Sequence, residues 1–175
     1  MEFVLINNAE LTEEQLHNIA NIKSQHWPHA IDSQIEWMHK TYNRLDTHIL
    51  LMDGVMVIGY VAIVGLNIVA NEKNIHTLGI SCLCVDQRYH GSGYGLLMME
   101  RALKFASDNE KSICLLCKEK LVGFYNKCGY KKISPNFISV EQVPFEHEFM
   151  VYDDAENDDV KVLQSAHSIL IDRNF

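Results

Sequence analysis

Three glycines alternate at positions 91, 93 and 95, directly after an apolar run ending at Val85 and directly before a helical pattern. No other feature constrains the chain as much. A glycine has no Cβ, so successive backbone N–H groups around such a turn can face one concavity. A helix that opens there adds its own unpaired N–H groups and the positive end of its dipole. The segment therefore predicts a strand, a tight turn and a helix whose start cradles an anion, with a pyrophosphate as the fitting shape.

Spacing narrows which phosphate-bearing molecule the loop suits. A dinucleotide fingerprint, Gly-x-Gly-x-x-Gly, sets its third glycine at a spacing this loop lacks, and no acidic residue stands out about twenty positions on. A nucleotide P-loop ends in Gly-Lys-Ser/Thr, whereas Gly95 is followed by Leu96. The remaining reading is an acyl-CoA site. The segment from Val85 to Met99 resembles motif A of the GNAT superfamily of N-acetyltransferases, whose usual form is Val-x-Pro-x-Tyr-Arg-Gly-x-Gly-x-Gly-x-x-Leu-Leu. Val85, Tyr89, Gly91, Gly93 and Gly95 fall on that pattern. Gln87 stands where proline is common, and His90 stands where Arg or Gln is usual.

A second segment, Phe124-Tyr-Asn-Lys-Cys-Gly-Tyr130, follows the apolar strand-like run Ile113–Cys117. It resembles the GNAT signature Phe-Tyr-x-Lys-x-Gly-Phe, with Tyr130 in the last place. In that family the tyrosine matching Tyr125 sits beside the CoA sulfur and acts as general acid towards the leaving thiolate. A phenol, neutral at pH 7 with a reference pKa near 10, suits that task. By residue type alone these aromatics also read as core packing. The two signatures come in the family's order, and the resemblance spans roughly residues 48 to 132.

Composition agrees with one soluble globular domain. At 175 residues, 47% hydrophobic and 22% charged, the chain is long enough to bury a sizeable core. A formal net charge of −8 argues against nucleic acid as partner and is compatible with a cationic amine or with plain solubility. The N-terminus lacks a basic signal-peptide region. The apolar run Val55–Ala70 is shorter than the roughly 18–20 residues that span a bilayer, and Gly59, Gly65 and Asn67 interrupt it, so it reads as sheet and not as membrane. Five cysteines, at 82, 84, 114, 117 and 128, are an odd count and fit reduced cytoplasmic thiols. Residues 114 and 117 would face opposite sides of one strand, so we read buried thiols and no metal.

Periodicity and turn chemistry order the rest. Phe3–Ile6 reads as a first strand. Thr12-Glu-Glu-Gln15 is a capping box opening a helix through about Ser24, and Ser33-Gln-Ile-Glu36 opens a second helix to about Leu45 by the same device. Pro28 breaks the chain between them. Residues 48–52 and 55–64 form a hairpin across Asp53-Gly54, followed by a polar loop over 71–76 and a strand ending at Val85. Further strands are expected around 137–140 and 148–152, then an acidic linker over 153–159 and a final helix over 160–171. The fold class is therefore α/β, an α+β layered domain, with residues 1–153 as the domain and 154–175 as linker and C-terminal segment. That last segment either packs on its own domain or supports a homodimer.

The resemblance adds specific expectations. It implies the acyl-CoA N-acyltransferase fold, a mixed and mostly antiparallel sheet in which the strands matching Ile80–Val85 and Ile113–Cys117 run parallel and splay apart to admit acetyl-CoA. Leu83, Cys84 and Val85 would bond the pantetheine arm as an added strand does, while His90, Gly91, Ser92, Gly93, Tyr94 and Gly95 would hold the pyrophosphate. A neutral His90 would weaken binding as pH rises. Tyr125 is the expected catalytic residue, and a backbone N–H near Leu83 the oxyanion donor. Many relatives place a carboxylate base on the strand that here reads Ile-Ser-Cys-Leu-Cys-Val, which has none; Ser81 would hold a water instead. His26, His29, Glu36 and His76 border the acceptor site of this fold, with Trp27 and Trp37 as candidate walls. A small-molecule primary amine is the expected acceptor. The stretches 136–140 and 145–153 bear a faint resemblance to aminoglycoside 2′-N-acetyltransferases. Acetylation of an aminoglycoside, of a protein N-terminus or lysine, and a non-catalytic acyl-CoA sensor remain open.

Overall fold

The apolar run after Asp53 forms one long strand, and it carries the chain through both compact units of the computed structural model, which describes residues 1–145 and 147–175. The first unit comprises residues 1–64, 81–102 and 175. It opens with β1 (Glu2–Asn7), then α1 (Glu13–Ser24) and α2 (Ile31–Thr41), then β2 (Thr47–Asp53), and it holds the first part of β3 (Met56–Ala70). β1 pairs antiparallel with β2 along Glu2↔Met52 to Asn7↔Thr47, and β2 pairs antiparallel with β3, Leu50 opposite Tyr60. Ile58 and Tyr60–Val64 are all buried, so both faces of this strand are covered.

The helix starts differ in chemistry. Thr12 accepts from the Gln15 N–H at 3.2 Å while the Gln15 side chain accepts from the Thr12 N–H at 2.9 Å, the reciprocal box the sequence predicts. The second helix departs from expectation. It starts at Ile31 with Ala30 as an uncapped N-cap, not at Ser33, and it ends at Thr41, leaving Leu45 exposed. The Gln34 side chain holds that start by donating to the Trp27 carbonyl at 2.8 Å, a contact made across Pro28 that no local cap rule anticipates. The hairpin turn is also shifted by one residue: Gly54 and Val55, not Asp53 and Gly54, connect β2 and β3.

The second unit comprises residues 65–80 and 103–174. The end of β3 turns through Asn71 and Glu72, with φ of 47° and 68°, directly into β4 (Lys73–Val85). The expected polar loop over 71–76 is therefore a two-residue hairpin turn, and residues 73–76 are strand. After α3 (Tyr94–Asp108), which starts in the first unit, come β5 (Ile113–Cys117), α4 (Val122–Lys127), β6 (Tyr130–Ile133), β7 (Phe137–Val140), β8 (Val143–Pro144), β9 (Glu148–Tyr152), α5 (Asp158–Gln164) and β10 (Ser168–Ile171). The strand order is β6-β9-β5-β4-β3-β10-β7-β8. β4 and β5 run parallel from Leu78↔Ile113 to Ile80↔Leu115; β5–β9, β6–β9, β7–β8 and β10–β3 are antiparallel, and β10–β7 is parallel. The sheet is thus mixed and mostly antiparallel. The β4–β5 ladder stops at Ile80 although β4 continues to Val85.

The C-terminal segment corrects the helix expected over 160–171. Asn157 caps a short helix by accepting from the Asp159 and Val160 N–H groups, and the chain then extends as β10 between β3 and β7. Ile169 and Ile171 are buried and Leu170 is exposed, a period-two pattern that a four-residue run states too weakly against the helix before it.

Candidate active site

The turn after β4 is built by side chains that grip main chain. The Asp86 carboxylate accepts from the Arg88 N–H, Nε and Nη2, each at 2.9 Å, and from Gln25 Nε2 at 3.3 Å. The Arg88 guanidinium holds the Asp86 carboxyl well below the usual carboxylate range. Gln87, at the position where proline is common, uses what proline lacks: its N–H donates to Gln25 Oε1 at 2.9 Å, and its side chain donates to the Gln25 carbonyl at 2.8 Å. The end of α1 is thereby tied to the turn. Tyr89 adds a bond from its hydroxyl to Asp53 Oδ2 at 3.2 Å.

The glycines come next. Gly91 and Gly93 hold φ of +79° and +82°, the left-handed region that L side chains avoid, and open space surrounds the place where a Cβ would sit on either. The first bond of α3 runs from the Leu97 N–H to the Gly93 carbonyl at 3.1 Å, so the Tyr94, Gly95 and Leu96 amides lack intrahelical partners, while the Ser92 N–H reaches the Tyr89 carbonyl at 3.4 Å. Fifteen residues of helix dipole end there. This is a concave run of N–H donors with room for an anion.

His90 is turned the other way. Its Nε2 lies 2.9 Å from the Val85 carbonyl, and His26 Nε2 lies 2.8 Å from the same oxygen, the two rings 5.3 Å apart. A carbonyl offers two lone pairs, so both donors are accommodated and the oxygen is saturated. The His90 N–H closes the short turn on the Gln87 carbonyl at 3.2 Å. The ring thus braces the end of β4.

Cys82 interrupts β4 with φ of +53°, a local kink for which the sequence offers no glycine as signal. On one side of it, Ser81 starts a buried hydrogen-bonded chain. Tyr42 Oη lies 3.2 Å from Ser81 Oγ and is also hydrogen-bonded to Tyr60; Tyr60 Oη lies 2.9 Å from His48 Nδ1, and His48 Nε2 lies 3.1 Å from Asn8 Oδ1. Asn8 spends its Nδ2 on the Tyr42 carbonyl at 3.2 Å, so its oxygen accepts and His48 carries the proton on Nε2. The Nδ1 lone pair then accepts from Tyr60. Burial pushes both phenols well above their ordinary range and, with the Lys23 charge, pushes His48 down to about 4.

Cys82 itself lines a cavity of about 350 Å³ whose lining also includes Lys23, Trp27, His29, Gln34 and Trp37. Trp27, Trp37 and His29 are expected at an acceptor site and do share this cavity. Glu36 does not line it; it pairs with Lys40 on the exposed side of α2 at 3.9 Å. His76 belongs to the second unit, on β4, where its ring bonds Asn67. Lys23 was not legible as a site residue, because a lysine in a helix of mixed polarity reads as solvated.

Tyr125 lies on α4 in the second unit, buried to 8% exposure, with Phe124 at 5.1 Å and Tyr130 at 6.3 Å between ring centroids. The glycine of its signature has a local cause. Gly129 holds φ of +86°, and a Cβ there would meet the Tyr152 ring at 2.8 Å. Only glycine both ends α4 and lets β6 begin against that ring.

Comparison with known proteins agrees with this geometry. The family model described as an acetyltransferase (GNAT) domain matches residues 45–132, half of the chain. Among solved structures, Escherichia coli ElaA superposes with a TM-score of 0.64 at 17% identity, covering 87% of this chain and 99% of that one. An acyl-CoA N-acyltransferase from Pseudomonas aeruginosa gives 0.64 at 14% identity, with 87% and 100% covered. An aminoglycoside 6′-N-acetyltransferase complexed with coenzyme A gives 0.63 at 14% identity, with 88% and 98% covered. At such identities these likenesses speak to fold. With the family match, the glycine cradle at the start of α3 and the mixed sheet, the chain belongs to the GNAT family of acyl-CoA-dependent N-acetyltransferases.

Proposed function

We propose that the chain transfers the acetyl group of acetyl-CoA to the primary amine of a small molecule by direct attack. The observation that carries this reading is the pair of left-handed glycines at the start of α3, which present a row of amides with room for a pyrophosphate. In this reading the amides from Gly91 to Gly95, with Ser92 and Tyr94 among them, hold the pyrophosphate. Leu83, Cys84 and Val85 bond the pantetheine arm. At Val85 the carbonyl is already taken by His26 and His90, so that contact falls to the N–H. His90 serves the site by bracing the strand rather than by lending charge.

The amine nitrogen attacks the thioester carbonyl carbon, the oxyanion is met by a backbone N–H near Leu83, and the C–S bond breaks. The amine proton leaves to water. Tyr125 gives its phenolic proton to the CoA thiolate and regains one from solvent. An odd count of five cysteines supports a reducing, cytoplasmic setting.

The test is thiol release from acetyl-CoA with a panel of small amines. Tyr125→Phe is expected to lower kcat by about 100-fold or more while acetyl-CoA affinity is retained. An unchanged kcat refutes the role. Acetyl-CoA binding with no release for any amine would favour the sensor reading.

A further inference from the structure

Lys23 is buried on the inner face of α1, 2% exposed, and among the described residues its Nζ has no hydrogen-bond partner. A charged ammonium in such a place is costly unless something compensates it. The protein compensates it in part. The Nζ sits 3.9 Å from the centroid of the Trp37 ring, which offers its negative face. Desolvation lowers its pKa, opposed by the Cys82 and Cys84 thiols. Among the described residues no carboxylate pairs with it. The same lysine lines the cavity of about 350 Å³ with both tryptophans of the chain, Trp27 and Trp37. That volume lies at the small end of the roughly 300–1,000 Å³ usual for ligand sites. The Nζ is thus held by an aromatic face and two thiols, beside a small aromatic cavity, with no anion opposite its charge among the described residues.

We propose that this cavity receives the acceptor and that Lys23 binds a carboxylate on it, so the substrate class is a small amino-carboxylate with an apolar or aromatic body. The acceptor's apolar body lies between Trp27 and Trp37, and its carboxylate takes the hydrogen bonds that Lys23 Nζ has to give. A buried lysine repels a polycation, so aminoglycosides are excluded from this site. The assignment to an acceptor rests on the acetyltransfer reading; the carboxylate site itself does not.

Because the only two tryptophans line the cavity, intrinsic fluorescence reports on it directly. The probes are N-acetylphenylalanine and its uncharged amide, titrated into the full chain saturated with CoA. The acid is expected to bind about 10-fold to 100-fold more tightly than the amide, the span of a hydrogen bond to a charged group. Lys23→Met should erase that preference, acid binding weakening by more than amide binding. Lys23→Arg should keep part of the preference. Removing an unpaired buried charge should also raise the melting temperature of Lys23→Met. Equal affinities for acid and amide, no fluorescence response to either, or a preference that survives Lys23→Met overturns the proposal. Thiol release with phenylalanine and with 2-phenylethylamine separates the two readings. Carboxylate-selective binding without release for any amine removes acetyl transfer and leaves the site. Release without carboxylate preference removes the site and leaves acetyl transfer.

Discussion

Lowering the pH from 7 to 5 should cost this protein about 2 kcal/mol of folding stability through one side chain, His48. Its ring is fully buried on β2, and burial together with the Lys23 charge pushes its pKa from the ordinary 6.5 down to about 4. The hydrogen bonds say why protonation is resisted. Nε2–H already donates to Asn8, and Nδ1 accepts from Tyr60, so a second ring proton would face a donor. A base whose folded pKa is depressed is protonated first in the unfolded chain. The stability it permits is therefore full above pH 6.5 and is lost as pH falls from 6.5 towards 4. Each tenfold change in proton affinity between the folded and unfolded chain is worth about 1.4 kcal/mol, so the limiting loss is about 3 kcal/mol, of which about 2 kcal/mol is reached at pH 5. Asp86 does not blur the window. Its carboxyl is held low by Arg88, so its own contribution is lost only as pH falls below the unfolded carboxylate range near 4. Urea titrations at the two pH values read the effect. With an m-value of about 2 kcal/mol/M, the midpoint should fall by about 1 M. His48→Gln, whose amide can donate to Asn8 and accept from Tyr60, should lose most of that pH difference while costing about 1–2 kcal/mol at pH 7. An unmoved wild-type midpoint, or a drop that persists in His48→Gln, refutes the reasoning.

Three further outcomes follow from the same geometry. Gly93→Ala forces an alanine to φ near +82° and should cost about 1–2 kcal/mol, with CoA affinity down at least about 10-fold by calorimetry. Gln87→Pro moves the chain towards the common family pattern and yet should lower stability by about 1 kcal/mol in chemical denaturation, since two hydrogen bonds to Gln25 are lost and the entropy gained by proline offsets only part. Acetyl-CoA affinity should be flat from pH 6 to 8 if His90 braces Val85, whereas a fall with rising pH would show that its ring charge serves the phosphates.

Much of the frame is legible from residues in order. The alternating glycines mark the strand–turn–helix, Thr12 and Gln15 mark the start of α1, and the apolar run to Ala70 marks a long strand, buried on both faces from 58 to 64. These features are local: a missing Cβ, a reciprocal cap and a run of β-branched residues act within a few positions. Where the structure departs from the local rule, a distant partner overrules it. Ser33 yields the start of α2 to a Gln34–Trp27 bond, and residues 168–171 extend because β3 and β7 offer two ladders to pair with. His90 matches a family position, but its ring is claimed by a carbonyl five residues back.

The cavity proposed for the acceptor is illegible for the same reason. Lys23, Trp37 and Cys82 meet only because α1, α2 and the kink in β4 pack together, and His48 reaches Ser81 through two tyrosines from other strands and loops. By itself the sequence determined the amide cradle proposed for the donor: such a cradle is made by backbone conformation, and glycine position dictates that conformation. The tertiary structure alone decided what surrounds Lys23, because a buried charge is defined by the partners it lacks, and those are set by packing between segments far apart in the chain.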